Sequence, residues 1–310
     1  MSFDLETAYI GLESPQPARV GAWLTDVVGL MPGEPLDDGS LAWRVDGKAH
    51  RVFVRQGSRA DAMCTGFEAR DERAFDRTCA SLRSAGVTLQ EGDAATLRAR
   101  RVRALVRCDT PWRVPIELVL GLEEAQPPFA SAAFPNGLVT QGQGFGHFVF
   151  AVNDKADYEA ARHLAQQGLG LGLSDWLRMP LGPDAEMHVS FFHCNPRHHS
   201  LAIALVPAPE LPQRLHHINF EVAQVLDVGL AYDRALKSGT RIANTIGQHA
   251  NDRMVSFYSF SPDGWQVEIG ATGKVVHEGW TGQQEYSRIS EWGHQPPQVL
   301  TQILAAAATP

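Results

Sequence analysis

The sequence predicts an α+β fold built from four copies of one plan: a strand, a helix, then several short strands. Three observations carry this. Apolar alternation and helical periodicity follow one another in the same order four times along the 310 residues. Linker composition interrupts the chain once, where Gln126-Pro127-Pro128 and Phe134-Pro135-Asn136-Gly137 flank small residues. Each half also closes on a similar phrase. Thr110-Pro111 precedes Glu117 and Ser261-Pro262 precedes Glu268, each Glu six residues after its Pro on a strand that ends in Gly121 or Gly270. The boundary is expected near residues 125–140, giving an N-terminal domain of 1–134 and a C-terminal domain of 135–310.

The first copy opens on strand Thr7–Glu13. Gln16–Leu30 is expected as a helix, because Val20, Trp23, Leu24, Val27 and Val28 share a face and Gly29 stands near its end. Leu41–Arg44 and Arg51–Arg55 alternate as strands. The second copy runs through strand Cys64–Ala69, helix Asp71–Ala85 stopped by Gly86, and strands Val102–Cys108 and Ile116–Leu120. The third has strand Gly146–Val152, helix Lys155–Gln167 and strands Met187–Cys194 and Ser200–Val206. Gly168–Gly172 lacks the Lys that follows a phosphate-binding loop and is expected to be a helix-ending loop. The fourth has strand His216–Val222, helix Val225–Lys237 closed by Gly239, and strands Met254–Tyr258 and Trp265–Ile269. Ser261-Pro262-Asp263-Gly264 joins the last two, with Pro presetting φ and Gly accepting a positive one. The tail from Trp280 to Pro310 is expected to wrap the second half.

Composition narrows the function classes. The chain is 44% hydrophobic, enough for a sizeable core, and its formal charge is 27 − 35 = −8 with no basic block. Nucleic acid and anionic membrane are therefore not expected as partners, since both reward clustered Lys and Arg. The first residues lack a basic and an apolar segment, and no apolar run is long enough to span a bilayer. Cys64, Cys79, Cys108 and Cys194 are widely spaced and match no zinc pattern, so a reducing cytoplasm is the expected compartment.

The chemistry concentrates in the second half. His147 and His217 each open the first strand of a copy, whereas the matching strands around Tyr9 and Thr65 have no His. Glu268 lies on the closing strand, ten residues after Tyr258, which is nine after His249. Two imidazoles and one carboxylate on one face form the ligand set of non-haem Fe(II) oxygenases, because they leave open positions for a chelating substrate and dioxygen. Zinc is also compatible with two His and a Glu. His216 is expected on the opposite strand face from His217.

On these residues the sequence resembles the type I extradiol ring-cleavage dioxygenases of the vicinal oxygen chelate superfamily, and among them the 2,3-dihydroxybiphenyl 1,2-dioxygenases. The family signature is met by Gly247, His249, Phe257, Tyr258, Ser261, Pro262, Gly264 and Glu268, with Ser261 a mild departure. Gly146-His147-Phe148 and His216-His217-Ile218 match the two metal-histidine strands, and Phe192 to Ala202 matches the stretch bearing an active-site histidine. The resemblance implies four βαβββ modules paired into two domains, with the metal only in the C-terminal one. It implies that His147, His217 and Glu268 hold Fe(II), Mn(II) being the second choice. By the same resemblance His199 is the acid and base, and His249 and Tyr258 hydrogen-bond a bulky catechol, with dioxygen as co-substrate. It further implies a homo-oligomer.

Around this set, His198 competes with His199 for the acid-base role. His193 and Cys194 are adjacent and diverge on a strand, so they are not expected to form a second metal site. Cys194 reads as packing, Asn251 and Asp252 as turn groups or groups orienting His249, and His294 as tail packing. Val149 and Phe191, by family position, are expected to line an apolar substrate pocket, with Phe148, Trp176 and Met179 as further wall candidates. Two other classes fit the same fold: an isomerase using its metal as a Lewis acid, which would turn over without oxygen, and a sequestration protein, which would not need the three ligands.

Overall fold

The computed structural model describes residues 3–182, 185–277 and 279–297. The first module contains β1 (Leu5–Ser14), α1 (Pro17–Trp23), β2 (Met31–Pro32), β3 (Leu41–Arg44) and β4 (Val52–Gln56). The second contains β5 (Asp61–Ala69), α2 (Glu72–Ser84), β6 (Gln90–Glu91), α3 (Ala94–Arg100), β7 (Ala104–Cys108) and β8 (Ile116–Leu120). Together their strands form one eight-stranded sheet ordered β2-β3-β4-β1-β5-β8-β7-β6.

The same plan repeats with β9 (His147–Val152), α4 (Lys155–His163), β10 (Gly172–Gly182), β11 (Ala185–His193) and β12 (Leu201–Leu205). It closes with β13 (Leu215–Glu221), α5 (Val225–Lys237), β14 (Ile242–His249), β15 (Val255–Phe260) and β16 (Gln266–Ala271). In all four modules the first strand pairs in parallel with the last, β1 with β4, β5 with β8, β9 with β12 and β13 with β16. Antiparallel pairs β1–β5 and β9–β13 join the modules two by two. Two short strands from the tail, β17 (Glu285–Tyr286) and β18 (Ser290–Trp292), extend the second sheet at opposite edges, giving β17-β10-β11-β12-β9-β13-β16-β15-β14-β18.

The local signals act as expected in most places. Asp71 accepts from the Ala74 amide at the start of α2, and Asp154 accepts from the Ala156 and Asp157 amides at the start of α4, satisfying donors that a helix start leaves open. Two expected helices change pitch. After Trp23, and again after His163, the chain widens into a single π turn, Leu24–Val28 and Leu164–Gly168, so neither Gln16–Leu30 nor Lys155–Gln167 is one α-helix. β10, which no sequence signal marked, and α3, capped by Asp93, are additions. Of the expected tail, residues 298–310 lie outside the described residues.

One apolar layer joins the halves. On β9 the side chains of Phe148, Phe150 and Val152 enter it while His147, Val149 and Ala151 face the other way, as strand alternation requires. Phe67 packs edge-on against Phe148, Trp112 stacks on Phe150 at 6.0 Å, and Trp23 meets Trp265 at 5.7 Å. Each aromatic pair unites an N-terminal with a C-terminal module.

Candidate metal centre and substrate cavity

β9, β13 and β16 are neighbours in the second sheet, and their register sets His147, Asn219 and Glu268 side by side. Strand alternation brings His217 to the same face. Gly146 makes the approach possible, because a Cβ there would overlap the Asn219 carbonyl of β13. The three predicted ligands converge. His147 Nε2 lies 3.2 Å from His217 Nε2 and 3.2 Å from Glu268 Oε2, and His217 Nε2 lies 3.4 Å from Glu268 Oε2. Donors about 2.1 Å from one ion, at angles between octahedral and tetrahedral, stand roughly 3.0–3.4 Å apart, so this cluster fits one first-row divalent ion. All three side chains are buried.

The electrostatics suit a cation. Burial alone would raise the Glu268 carboxyl, but hydrogen bonds from His147, His217 and His249 outweigh it and hold the group well below the usual carboxylate range. Burial pushes His147 down to about 4, so its imidazole is neutral and available as a ligand at neutral pH. Asn219 Nδ2 donates to Glu268 Oε2 at 3.1 Å and fixes the carboxylate's orientation. Sequence reasoning passed over Asn219, although it shares the phase of His217 two residues earlier.

His199 lines the cavity with its ring against that of His147, centroids 3.9 Å apart, and Phe191 packs edge-on against it. His198 turns away. Its Nε2 lies 3.1 Å from Asp175 Oδ2 and its Nδ1 lies 3.2 Å from His199 Nδ1. A carboxylate only accepts, so His198 donates from Nε2, and in that tautomer its Nδ1 accepts from the Nδ1–H of His199. That leaves the Nε2 lone pair of His199 unprotonated. Burial, followed by the neighbouring His147 and His198, keeps the His199 imidazole neutral, well below its ordinary value. Asn251 Nδ2 donates to Asp175 Oδ1 at 3.2 Å, and Asp252 Oδ2 stands 3.9 Å from His199 Nδ1. Asn251 and Asp252 thus face the His199 side of the site rather than orienting His249 by hydrogen bonds, while Asp252 also acts as a turn group, accepting from the Met254 amide at 3.0 Å.

His249 Nε2 lies 2.7 Å from the Tyr258 hydroxyl and 3.2 Å from Glu268 Oε1, and Tyr258 donates to the same oxygen at 2.8 Å. Burial lowers a histidine, but here the Glu268 hydrogen bond and the Asp252 charge outweigh it and carry His249 up to about 9. His294 also lines the cavity instead of merely packing the tail. His216 does not take the opposite face: it borders the same cavity, its Nδ1 2.7 Å from that of His217. The reason is a β-bulge between Leu215 and His217, where His216 is an extra residue with no partner on β9 and its side chain is re-aimed.

The cavity holds about 420 Å³ and is walled by Val149, Ala151, Leu177, Val189, Phe191 and Ala204. Phe148 and Trp176 are not on its wall. Phe148 is on the core face of β9, and the Trp176 indole donates to Glu285 at 2.9 Å. Met179 packs against the cluster of Val149, Leu177 and Val189 but does not itself line the cavity. His193 is occupied with Ser174, 2.7 Å away, and Cys194 is a buried free thiol, so neither adds a metal site.

The equivalent place in the N-terminal half is filled by protein. Glu117, the counterpart of Glu268, accepts from the Tyr9 hydroxyl at 2.7 Å and from Arg100 Nε at 3.0 Å. The guanidinium lies over Phe53 at 4.4 Å, and a buried cation stands where the other half gathers histidines.

Comparison with known proteins agrees with this geometry. The model of the Glyoxalase/Bleomycin resistance protein/Dioxygenase superfamily matches residues 144–269. The chain is 38% identical to the biphenyl-2,3-diol 1,2-dioxygenase of Metapseudomonas furukawaii, over 93% of this chain and 92% of that one. It is 32% identical to the iron-dependent extradiol dioxygenase of Rhodococcus jostii, over 93% and 95%. A crystal structure of BphC, a halotolerant catechol dioxygenase, superposes with a TM-score of 0.85 at 30% identity, covering 96% of both chains. Similarity that runs through both halves, and not only through the metal-binding one, places the chain in the extradiol dioxygenase family of that superfamily.

Proposed function

We infer that the protein opens the ring of an aromatic catechol beside its paired hydroxyls, with dioxygen as co-substrate, and that its metal is Fe(II), with Mn(II) as second choice. A 2,3-dihydroxybiphenyl-type substrate is the preferred catechol, supported by the biphenyl-2,3-diol dioxygenases among the relatives. The observation that carries the reading is the His147–His217–Glu268 cluster at the wall of an apolar cavity that also holds His199, His249 and Tyr258. When bound, Fe(II) supplies a chelation point for the catechol oxygens and a route for electrons from ring to dioxygen.

The protein's own groups supply the rest. The bare Nε2 of His199 accepts a catechol proton and returns it later, with Asp175 and His198 holding the ring in that tautomer. His249 and the Tyr258 hydroxyl hydrogen-bond a substrate oxygen; the hydroxyl can both donate and accept. Val149 and Phe191 exclude water and pack the remainder of the substrate. Residues 1–134 serve in this reading as a scaffold that carries no metal, and 135–310 carry the chemistry. Four free, buried cysteines suit a reducing cytoplasm. No helix among the described residues is long and apolar enough to cross a membrane. Homo-oligomerisation belongs to the same proposal and is checked by sedimentation.

The test is turnover of a catechol panel by Fe(II)-loaded protein in air, followed by the absorbance of the ring-fission product. Extradiol cleavage of a biaryl catechol, absent without oxygen, is the expected result. Oxygen-independent turnover, or inertness toward every catechol, would overturn the reading.

A further inference from the structure

His249 ends β14 with its Nε2 toward Tyr258 and Glu268 and its Nδ1 3.2 Å from the Ile289 carbonyl. One face of its ring is covered by a residue with no role so far, His294. The two ring centroids are 4.3 Å apart and the planes are 38° from parallel. His294 is itself held from both ends. The Ser290 hydroxyl lies 2.7 Å from its Nδ1, and the Ser256 hydroxyl and carbonyl each lie 3.1 Å from its Nε2. A carbonyl only accepts, so Nε2 carries the proton and Nδ1 accepts from Ser290. Both contacts agree on one tautomer and one ring plane.

The backbone is shaped for this contact. Gly293 and His294 have φ of +70° and +52°, two left-handed residues in succession that turn the tail just after β18. A Cβ on Gly293 would overlap the Ile246 carbonyl and Gly247 Cα, and a Cβ on Gly247 would overlap the Trp292 carbonyl and the His294 nitrogen. The two glycines cross with no side chain between them. Since Gly247 lies two residues before His249, the crossing sets where the His294 ring falls. The tail is anchored on both sides as well, with β17 against β10 and β18 against β14.

We propose that His294 is a positioning residue that clamps the His249 ring from the C-terminal strap, and that Gly247 and Gly293 let the strap close far enough to do so. The proposal rests on the reading of His249 as substrate-facing. It is tested by comparing wild type with His294→Ala and His294→Phe, the second keeping a flat ring over His249. Metal content, anaerobic catechol binding and steady-state kinetics are measured for each. H294A is expected to lose about 10- to 100-fold in kcat, because a catalytic group displaced by an ångström loses that much. KM, anaerobic affinity and metal content should stay within about threefold of wild type, and H294F should return kcat to that range. Unchanged kcat in H294A, equal losses in both variants, or a loss that follows metal content overturns the clamp. Should H294A fail to fold, H294F decides alone, a kcat loss beyond about tenfold counting against the proposal. The position of the His249 ring in crystals of either variant reads the clamp without substrate: H294A should shift it and H294F should keep it. An unmoved ring in H294A overturns the proposal even if wild type proves inactive on every catechol, an outcome that would sink the extradiol reading instead.

Discussion

At the scale of single residues, the chain Asp175–His198–His199 makes a sharp prediction. Asp175→Asn can donate toward His198 as well as accept, so it no longer enforces the tautomer that leaves His199 Nε2 bare. We expect a fall in kcat of about tenfold, with iron content unchanged by metal analysis, in line with the usual cost of losing a hydrogen-bond partner behind a site. His50 gives a second prediction, in the other half. It is fully buried between Tyr9 and Phe53, both ring nitrogens lack partners, and burial pushes it down to about 3. Its folded value lies below its unfolded value near 6.5, so the folded state resists taking up a proton. Stability from this group is complete above about pH 6.5 and is lost as pH falls toward 3, by about 1.4 kcal/mol per unit. Urea titrations at pH 7.5 and 5 should therefore show His50→Phe losing roughly 2 kcal/mol less than wild type over that interval. Neither feature was legible in advance. His50 and Asp175 carry no sequence pattern, because what defines them is the company that distant strands bring. His147, His217 and Glu268 were legible because each repeats a place in a module.

At the scale of elements, alternation made most strand faces readable and failed where the backbone departs from regular geometry. The bulge on β13 puts His216 on the cavity side, and no residue type in Leu215-His216-His217 announces it. Helix periodicity likewise does not separate an α-helix from one that ends in a π turn, since the apolar positions of both serve the same core. The long β10–β11 hairpin was half missed, for Gly172–Gly182 mixes Gly, Pro and polar residues along a strand with much exposed surface. α3 carries the element-scale prediction, because its Arg100 is the cation that neutralises Glu117. Arg100→Met leaves a buried carboxylate without its partner, at a cost of about 3–5 kcal/mol by urea unfolding, while iron bound per folded chain stays constant. Adding Glu117→Gln to that variant should recover part of the loss.

For the whole molecule, the four-module plan was visible in the order of elements, but the extent of contact between the halves was not. Pairs such as Trp112–Phe150 and Trp23–Trp265 are far apart in sequence, and periodicity reports only that each residue is buried. Residues 135–310 expressed alone would expose the faces of Phe148, Phe150 and Trp265. The expected outcome is an aggregating or molten fragment by near-ultraviolet circular dichroism, although every proposed metal ligand is present. A natively packed fragment would contradict this. The strap that reaches His249 has a separate consequence. Only residues 287–289 lie between β17 and β18, yet these strands sit on opposite edges of the ten-stranded sheet. The four steps from Tyr286 to Ser290 span at most about 14 Å, so the sheet must curl until its edges nearly meet. Unpaired strand edges are templates for another chain. On the first sheet the edges end in strands of two residues, one of them containing Pro32, whereas on the second the tail covers part of β10 and β14. A chain that ended before Glu285 would present two long, open strand edges to its neighbours, and intermolecular β-pairing would compete with folding before any question of catalysis arose.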